Sequence, residues 1–367
     1  MSGPVRLLVR PSAPRPPSGP YGPPRPHTAQ GDPQMHAVRL HAFGPAENLT
    51  YEEVPDPDPG PGQVRIRVAA AGVHLIDTAL RAGERGPYPE PVALPTIPGR
   101  EVAGTVDALG EGTDPVWLGR RVVVHLGMNP GGYAESVTTG AERLRSLPEG
   151  LGAAEAVAMI GTGRTALGIL HHARLGPEAI AVVSAAAGGI GTLAVQYAKN
   201  AGATVIGLAG GPAKVARTLA NGADLAVDYT GPAWPDEVRA YLGERRATVY
   251  LDAVGGAVGR AAVGLLGKGG RHLVYGWAGD GGPYSGEPLL LTEEEQTARG
   301  IETVHLLGPR LLEQVGGDVR LLEDRALEEA ATGRLAPAVQ RFPLARAADA
   351  HRALETRASM GKVVLVP

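Results

Sequence analysis

The chain has 367 residues, of which 43% are hydrophobic and 20% charged, with a formal net charge of −3 and no cysteine. This length predicts two domains, and neither the charge nor the apolar runs, all shorter than the ~20 residues of a membrane-spanning helix, indicate a nucleic acid or a membrane as a partner. The lack of cysteine excludes disulfides and cysteine-ligated zinc and fits a cytoplasmic protein.

The first 34 residues differ in composition from the rest, since Pro, Gly, Ser and polar residues dominate the stretch PSAPRPPSGPYGPPRPHTAQGDPQ. Proline fixes φ and lacks an N–H donor, so neither a helix nor a sheet ladder can form there. We expect residues 1–34 to be a disordered, Pro-rich tail. A polyproline ligand for a partner domain is the alternative.

Residues 35–155 alternate apolar and polar side chains, as in HAVRLHAFG, NLTYEEVP and QVRIRVAAAGVH. A period of two is typical of half-buried strands, so this region predicts a mostly antiparallel β domain. Residues 301–367 contain helical segments and end in GKVVLVP, a strand that needs a sheet to join. We expect this terminal strand to pair within the N-terminal β domain.

Residues 156–300 change to alternating strand and helix patterns, which include AIAVVSA, GIGTLAVQYAKNAG and RHLVYG and precede a polar loop predicted for residues 280–300. The strands are continuous runs of Val, Ile, Leu and Ala, as expected of strands that are buried on both faces. This alternation predicts an α/β domain whose parallel sheet is covered by helices on both sides.

The run AVVSAAAGGIG at residues 181–191 joins the first of these strands to a helix. Helix N-termini present free N–H groups and a positive dipole end, which bind a pyrophosphate where no side chain blocks it. Gly188 and Gly189 leave that space open, and Gly191 lets the helix pack closely on the strand. Ala186, Gly188 and Gly191 align with the dinucleotide fingerprint G-x-G-x-x-G, although its first glycine is alanine here. Tight packing alone is the alternative explanation of this turn.

The end of the second strand distinguishes NAD from NADP, because an acidic side chain there binds the ribose 2′-hydroxyl of NAD. This strand ends in Gly210 and Gly211, with no acid to repel a 2′-phosphate. Lys214 supplies positive charge one turn later, Arg217 is a weaker candidate, and Tyr229 closes the third strand. The sequence therefore predicts NADPH as the cofactor, although Lys214 alone is also typical of a solvated helix lysine.

Motifs throughout residues 35–367 resemble those of one family. The run SAAAGGIGTLAVQYAKNAGATVIG resembles the cofactor motif of the zinc-independent quinone oxidoreductases of the medium-chain dehydrogenase/reductase superfamily, and GVHLIDTALRAG, PGREVAGTVDALGEG, GGYAES, LDAVGG and GKVVLVP keep the family order. The resemblance implies a GroES-like β-rich catalytic domain, residues 35–155 and 301–367, and a Rossmann doubly wound domain, residues 156–300. It also implies an active-site cleft between the domains and a homodimer.

The predicted NADPH site gathers residues from several segments of the Rossmann domain and from the terminal strand. It comprises Thr165, Ala186, Gly188, Gly189, Ile190, Gly210, Gly211, Lys214, Tyr229, Asp252, Gly276 and Lys362. The hydride acceptor is expected to be a small molecule held in the adjoining cleft.

Zinc-dependent members of the superfamily carry G-H-E in the second motif, where this chain reads G-R-E at residues 99–101. Arginine cannot replace histidine as a zinc ligand. His74 and Asp77 alone make a poor metal site, and His171 and His172 have no matching partner. We therefore predict no metal and a conjugate reduction, in which hydride passes from NADPH to a quinone or an α,β-unsaturated carbonyl.

Negative charge develops on the substrate oxygen in such a reaction, so a hydrogen-bond donor is expected beside it. His74 stands where the family has Asn and is the candidate donor to that oxygen or to the enolate; a role in shaping the cleft is the alternative. Asp77 matches the family aspartate, either as a catalytic residue or as a structural acceptor near the ribose. Arg81 and Tyr88 are weaker candidates.

Two other functions stay open on this sequence. The first is an enoyl reductase for a thioester or a natural-product intermediate, and the second is a non-catalytic relative that binds NADPH. The glycine turn, the missing acid and Lys214 all indicate cofactor binding, and none of them indicates turnover.

Overall fold

The computed structural model describes residues 34–84, 92–279 and 287–367. The predicted Pro-rich tail, apart from Gln34, and Tyr88 therefore lie outside the described residues. Within the described ranges we find no helix whose length and hydropathy would let it span a lipid bilayer.

The strands of the described residues form a two-stranded, a six-stranded and a seven-stranded sheet. They are β1 (Gln34–Leu40), β2 (Leu49–Pro55), β3 (Gln63–Val73), β4 (Glu101–Leu109), β5 (Arg121–His125), β6 (Ser136–Gly140), β7 (Arg145–Ser146), β8 (Ile180–Val183), β9 (Thr204–Ala209), β10 (Leu225–Asp228), β11 (Ala247–Asp252), β12 (Leu266–Val274), β13 (Glu302–His305), β14 (Val339–Pro343) and β15 (Lys362–Val366).

The helices are α1 (Leu75–Ala82), α2 (Ala153–Val157), α3 (Arg164–Leu170), α4 (Gly189–Asn200), α5 (Pro212–Ala220), α6 (Trp234–Leu242), α7 (Gly256–Val263), α8 (Glu293–Arg299), α9 (Val319–Ala331) and α10 (Ala347–Glu355). A π-helical turn, Ala158–Gly163, joins α2 to α3. Short 3₁₀ segments occupy Ala46–Asn48, Pro115–Trp117, Ala141–Arg143, His171–Ala173, Gly308–Val315 and Leu344–Arg346.

The seven-stranded sheet has the order β14-β15-β3-β4-β5-β7, with β6 also paired to β3. Its period-two pattern is visible in β3, where Val64 and Ile66 are buried and Arg67 is exposed. The terminal strand β15 lies antiparallel to β3, with Val363 opposite Val73. The predicted return of the chain to the N-terminal β region is therefore confirmed.

The six-stranded sheet is parallel, with the order β10-β9-β8-β11-β12-β13. Strand β8 is buried along its whole length, as its continuous apolar run predicts. The GroES-like and Rossmann α/β architecture is thus confirmed. The parallel sheet continues through β13, Glu302–His305, beyond the predicted domain boundary at residue 300, because β13 pairs with β12. Helix α8 replaces part of the loop predicted for residues 280–300.

One apolar cluster connects the two large sheets. It includes Ala70 and Ala103 of the β-rich sheet, Leu167 of α3, and Val183 and Leu251 of the parallel sheet. Because side chains of both sheets pack in one core, the carboxyl ends of the parallel strands are held facing the β-rich sheet.

Candidate active site

A groove of about 240 Å³ lies at the carboxyl ends of β8, β9 and β11. The strand order reverses between β8 and β11, and ligands of open α/β sheets bind at such a switch point. One wall consists of loops that follow these strands, and it includes Ala187, Gly188, Gly189, Gly210, Tyr229 and Val254. The other wall consists of the start of α1 and the segment before β15, with Leu75, Leu354, Glu355, Arg357, Ser359 and Gly361.

The glycine turn between β8 and α4 is closely packed on its inner side and open on its groove side. A Cβ atom on Gly191 would lie 2.2 Å from the carbonyl oxygen of Ala185, so the helix needs glycine there. Gly188 is the N-cap of α4 and lines the groove. Gly361 donates its N–H to the Ala187 oxygen at 2.8 Å, which holds the C-terminal segment against the turn. The first N–H groups of α4 therefore face the groove, in the arrangement that binds a pyrophosphate.

Two positively charged side chains line the same groove. The Lys214 ammonium donates to the backbone oxygen of Arg357 at 2.5 Å, and the Arg357 guanidinium donates to the oxygens of Ala278 and Gly279 at 2.7 and 2.6 Å. Burial, together with the charge of Arg357, lowers the pKa of Lys214. Two like charges at an open groove favour an anionic ligand between them.

Three titratable side chains meet where neighbouring strands of the β-rich sheet end; we call them the proton cluster. His74 follows β3, Glu101 begins β4 and Lys362 begins β15, and the antiparallel registers bring these strand ends to one edge. His74 Nε2 lies 2.7 Å from Glu101 Oε1. Lys362 Nζ lies 2.8 Å from His74 Nε2 and 2.9 Å from Glu101 Oε2. The next residue after His74, Leu75, and the residue before Lys362, Gly361, both line the groove.

Two members of the proton cluster are buried, and the third, His74, is partly exposed. Glu101 is 0% exposed and Lys362 is 5% exposed, whereas the His74 side chain is 23% exposed. Two glycines make room for the carboxylate, because a Cβ on Gly161 would lie 1.5 Å from Oε1 and a Cβ on Gly72 would lie 2.4 Å from Oε2. Burial alone would raise the pKa of Glu101, but the charges of His74 and Lys362 outweigh it and hold this pKa well below its usual range. Burial lowers the pKa of Lys362, and Glu101 opposes that shift only in part.

Asp77 lies behind His74 and does not line the groove. Its carboxylate accepts the His74 backbone N–H at 2.8 Å and the Tyr133 hydroxyl at 3.1 Å. The same hydroxyl lies 3.1 Å from Nε2 of His351, whose pKa is lowered to about 4 by burial. These hydrogen bonds fix the start of α1 and thereby the His74 backbone, and a catalytic role of Asp77 stays a prediction.

Only part of the predicted cofactor set lines the groove, namely Gly188, Gly189, Gly210, Lys214 and Tyr229. Asp252 is fully buried and accepts the Tyr250 hydroxyl and the N–H groups of Val254 and Gly255, so it shapes the loop after β11. Gly276 packs behind that loop, since a Cβ there would lie 2.9 Å from the Ala253 oxygen. Neither residue lines the groove, and their role in cofactor binding stays a prediction.

The remaining predicted cofactor residues lie beside or beneath the groove. The Thr165 hydroxyl donates to the Gly161 oxygen at 2.8 Å. Ala186 is fully buried, Ile190 packs against the apolar cluster, and Gly211 donates its N–H to Asp228 at 2.9 Å. The Lys362 ammonium belongs to the proton cluster, and its predicted role in cofactor binding stays a prediction.

The weaker candidates lie outside the groove lining. Arg217 is exposed on α5. Arg81 is buried, donates to the Gly44 oxygen and pairs with Glu355, so it neutralises an acid of the groove wall. His171 and His172 stack edge-to-face on a 3₁₀ turn.

Sequence reasoning missed Arg357 and Glu101. Arg357 lies 143 residues from Lys214 and meets it only through the return of the chain to β15. The sequence feature that indicates it is a basic residue shortly before the terminal strand, which has to return to the N-terminal β region. Glu101 was visible in the G-R-E motif, where it directly follows the arginine that excluded zinc.

A glycine turn on a parallel sheet, facing a β-rich domain across a groove, defines a two-domain oxidoreductase that uses a nicotinamide dinucleotide. Family models agree: the alcohol dehydrogenase GroES-like domain matches residues 60–194, and the zinc-binding dehydrogenase model matches residues 189–304. The chain belongs to the quinone oxidoreductases of the medium-chain dehydrogenase/reductase superfamily and is an oxidoreductase that acts on a small molecule.

Individual relatives align over nearly their whole length. A quinone oxidoreductase of Pseudomonas aeruginosa is 30% identical over 338 residues, which cover 90% of this chain and 99% of that protein. A 2-haloacrylate reductase of Burkholderia sp is 30% identical over 340 residues, covering 90% and 98%. The crystal structure of Escherichia coli quinone oxidoreductase complexed with NADPH superimposes with a TM-score of 0.76 at 26% identity, covering 90% of this chain and 100% of that one.

The donor set of the proton cluster does not fit zinc, despite the description of the matching model. Lys362 Nζ occupies the position between His74 Nε2 and Glu101 that a bound cation would take. An ammonium group has no lone pair to offer a metal. Among the described residues, no group of three or more His, Cys, Asp or Glu side chains is placed to hold a metal ion.

Proposed function

We propose that the protein is a zinc-independent reductase that uses NADPH to reduce a quinone or an α,β-unsaturated carbonyl. The observation that carries this proposal is the groove, which is lined by the dinucleotide turn at Gly188 and by Leu75, the residue that follows His74. The quinone oxidoreductase and 2-haloacrylate reductase relatives support the same reaction class, because their substrates share an electron-poor carbon conjugated to a carbonyl or carboxyl group.

The groove fits a phosphorylated dinucleotide. The backbone at Gly188 and Gly189 would hold the pyrophosphate, and Lys214, Arg357 and Tyr229 would surround the 2′-phosphate. Glu355 is the only acid among the described lining residues, and its carboxylate is paired with Arg81. The positive charge of Lys214 and Arg357 is therefore not cancelled, which supports NADPH over NADH.

The proton cluster end of the groove supplies the acid chemistry of the reduction. NADPH, when bound, supplies a hydride, and negative charge then appears on the substrate oxygen. His74 precedes the lining residue Leu75 and its side chain is 23% exposed, which supports the proposal that it donates to that oxygen or to the adjacent carbon. Asp77 holds the His74 backbone in that position.

A second substrate class stays a candidate because of one relative. The 2-haloacrylate reductase acts on a short unsaturated acid, so a carboxylate or thioester attached to the double bond is compatible with this scaffold. A non-catalytic NADPH-binding role is the remaining alternative. That role gives no function to the partly exposed His74 side chain.

We also propose a homodimer. Among the described residues, strand β13 has a strand neighbour on one side only, which supports pairing of its other edge with a second copy. Light scattering on the purified protein tests this directly: a monomeric mass would contradict it. A cytoplasmic location stays a prediction.

The test of function is NADPH consumption with phenanthrenequinone, benzoquinone, a short enone, 2-chloroacrylate and an enoyl thioester. NADH replaces NADPH in one control, and a chelator is added in another. Turnover with NADPH that resists the chelator supports the proposal, and the preferred acceptor names the substrate class. NADPH binding without turnover of any acceptor would overturn it and favour the non-catalytic alternative.

A further inference from the structure

One side chain joins the two walls of the groove. Arg357 lies in the segment before β15, and its guanidinium contacts the loop that follows β12 at Ala278 and Gly279. We infer that Arg357 is a positioning residue, which holds this loop through Nη2 and binds the 2′-phosphate of NADPH through its other nitrogens. The phosphate then stabilises the loop in addition to raising affinity. This inference rests on the proposed use of NADPH and goes beyond the role of a phosphate ligand.

The contacts of Arg357 connect three segments of the chain. Its Nη2 donates to the Ala278 oxygen at 2.7 Å and to the Gly279 oxygen at 2.6 Å. Its backbone oxygen accepts the Lys214 ammonium at 2.5 Å, and its N–H donates to the Leu354 oxygen at 3.1 Å. The segment before β15 is therefore joined to helix α5 and to the loop after β12 through one residue. We call the contacts of Nη2 with Ala278 and Gly279 the Arg357 bridge.

The backbone of Arg357 has a conformation that arginine rarely adopts. Among the described residues, three residues other than glycine have a left-handed φ: Arg174 at 49°, Ala185 at 47° and Arg357 at 56°. Ala185 and Arg357 both line the groove. Such strain persists where surrounding contacts fix the residue, and it is concentrated at functional sites. The contacts of Arg357 with Lys214 and with the loop after β12 supply that constraint.

The loop that Arg357 holds is also hydrogen-bonded to the loop after β11. The Ala278 N–H donates to the Ala253 oxygen at 3.2 Å, and the Gly279 N–H donates to the Val254 oxygen at 2.7 Å. Ala253, Val254 and Ala278 all line the groove. The loop after β12 is thus fixed through its N–H groups on one side and through its oxygens on the other. Loss of the guanidinium removes the second of these two attachments.

The guanidinium keeps donors for a phosphate while it holds the loop. It has five N–H donors in a planar fork, and both loop contacts use Nη2 alone. The edge formed by Nε and Nη1 matches the bidentate geometry in which arginine binds phosphate. A phosphate on this edge would fix the guanidinium plane and thereby restrict Nη2 and the loop. NADH presents a hydroxyl at that position and forms no such ionic contact.

The first test needs neither cofactor nor turnover. Hydrogen–deuterium exchange measures the amides of Ala278 and Gly279 in wild type and in Arg357→Met. We expect exchange in the variant to be about tenfold faster, because charged hydrogen bonds to two loop oxygens are lost. Unchanged exchange would overturn the inference, even if the protein is an active reductase that uses NADPH.

A matched control separates the bridge from backbone strain and from a general loss of stability. Arg174→Met changes another left-handed arginine, which is exposed and lies outside the groove lining. Exchange at Ala278 and Gly279 should stay at the wild-type rate in this control. Equally fast exchange in Arg174→Met and Arg357→Met would contradict the assignment of the effect to the bridge.

The second test asks whether the 2′-phosphate acts on the loop. Adenosine 2′-monophosphate and adenosine 5′-monophosphate carry the same phosphate on different ribose carbons. At saturation, established by calorimetry, we expect the 2′-isomer to slow exchange at Ala278 and Gly279 about fivefold, the lower end of typical coupling between sites. The 5′-isomer should not slow it, and neither isomer should act in Arg357→Met. A 2′-isomer that binds without slowing exchange would overturn the coupling.

The third test uses NADH, which has no 2′-phosphate. A residue that only binds that phosphate would leave turnover of NADH unchanged. We expect Arg357→Met to lower kcat at saturating NADH about tenfold, since small displacements of a site cost rate, and Arg174→Met to leave it unchanged. A kcat for NADH within about twofold of wild type in Arg357→Met contradicts a positioning role in turnover.

Failure of the inference and failure of the proposed function give different results. Absence of turnover in wild type with either cofactor refutes the reductase proposal, and failure of adenosine 2′-monophosphate to bind refutes the use of NADPH. Neither result affects the exchange measurement on Arg357→Met, which decides whether the bridge holds the loop. Normal NADPH-dependent turnover together with unchanged exchange refutes the bridge alone.

Discussion

The glycine turn at one end of the groove and the proton cluster beside the other end bind charge in opposite ways. At the glycine turn, charge is met by backbone N–H groups and by cations that remain accessible, Lys214 and Arg357. At the proton cluster, the carboxylate of Glu101 and the ammonium of Lys362 are buried and bind each other. The first end presents positive charge to a ligand, and the second pairs its own charges with each other.

The two regions also differ in how far apart their residues lie along the chain. The glycine turn is formed by eleven consecutive residues, AVVSAAAGGIG, at residues 181–191. The proton cluster joins three distant segments that meet only through the registers of β3 with β4 and β15. Substitutions at the two ends should therefore differ in what they damage.

The largest expected effect comes from making one substitution at each end. Lys362→Met leaves the buried Glu101 carboxylate without the ammonium, with His74 as its remaining partner, and should lower the free energy of unfolding by about 3 kcal/mol. Lys214→Met removes a half-buried cation and should cost less than about 1 kcal/mol, while it weakens NADPH binding. Urea denaturation with and without NADPH measures both. Equal losses of stability in the two variants would contradict the difference between buried charges at the proton cluster and accessible charges at the glycine turn.

The next effect is the pH dependence of stability that His351, behind the proton cluster, causes. Burial holds the pKa of His351 at about 4, against about 6.5 in an unfolded chain. The unfolded state therefore binds more protons between these values, so stability falls as the pH drops from about 6.5 to 4, by about 3 kcal/mol for this residue. His351→Gln should flatten the curve in that window. Parallel curves for the two proteins would show that His351 does not stay neutral.

Glycine-to-alanine substitutions should affect stability near the proton cluster and cofactor binding at the glycine turn. Gly161→Ala places a Cβ 1.5 Å from Glu101 Oε1 and should displace the carboxylate, at a cost of about 1–3 kcal/mol. Gly188→Ala meets only the Ala185 oxygen at 3.1 Å, so the fold should tolerate it while pyrophosphate binding weakens. Thermal melts and NADPH titrations distinguish the two outcomes. A stable Gly161→Ala protein with an unshifted Glu101 would contradict the packing described.

The smallest effect concerns the support behind His74. Tyr133→Phe removes a hydroxyl that contacts both Asp77 and His351, and it should cost about 1–3 kcal/mol by leaving buried polar atoms unpaired. Because Asp77 still caps α1, kcat should fall by less than about tenfold. Denaturation curves and steady-state rates on the same preparation check both statements; a kcat loss of about 100-fold would show that Asp77 acts in chemistry.

Much of the fold was predictable because its signals are local. Period-two runs, alternating strand and helix units and the turn at residues 181–191 each need only a short window of sequence. The return of β15 to the β-rich sheet was also predictable, since an isolated apolar strand has to pair. The boundary at residue 300 was misplaced because β13, Glu302–His305, belongs to the parallel sheet only through its pairing with β12.

Part of the candidate site was predictable from the sequence, and the positions that were not predicted have one physical cause in common. Gly188, Gly189, Gly210, Lys214 and Tyr229 follow strand ends directly, so their place at the groove could be inferred from order along the chain. The positions of Glu101, Lys362 and Arg357 depend on strand register between distant segments. Register is a property of the assembled sheet, and no short stretch of sequence contains it.

The cofactor preference of the groove is measured by kcat/KM for NADPH and for NADH with one quinone, in wild type and in Lys214→Met, with and without chelator. We expect at least a tenfold preference for NADPH in wild type, about 1.4 kcal/mol, which shrinks in the variant and does not change when chelator is added. Equal use of NADH by wild type, or loss of activity on chelation, would contradict it.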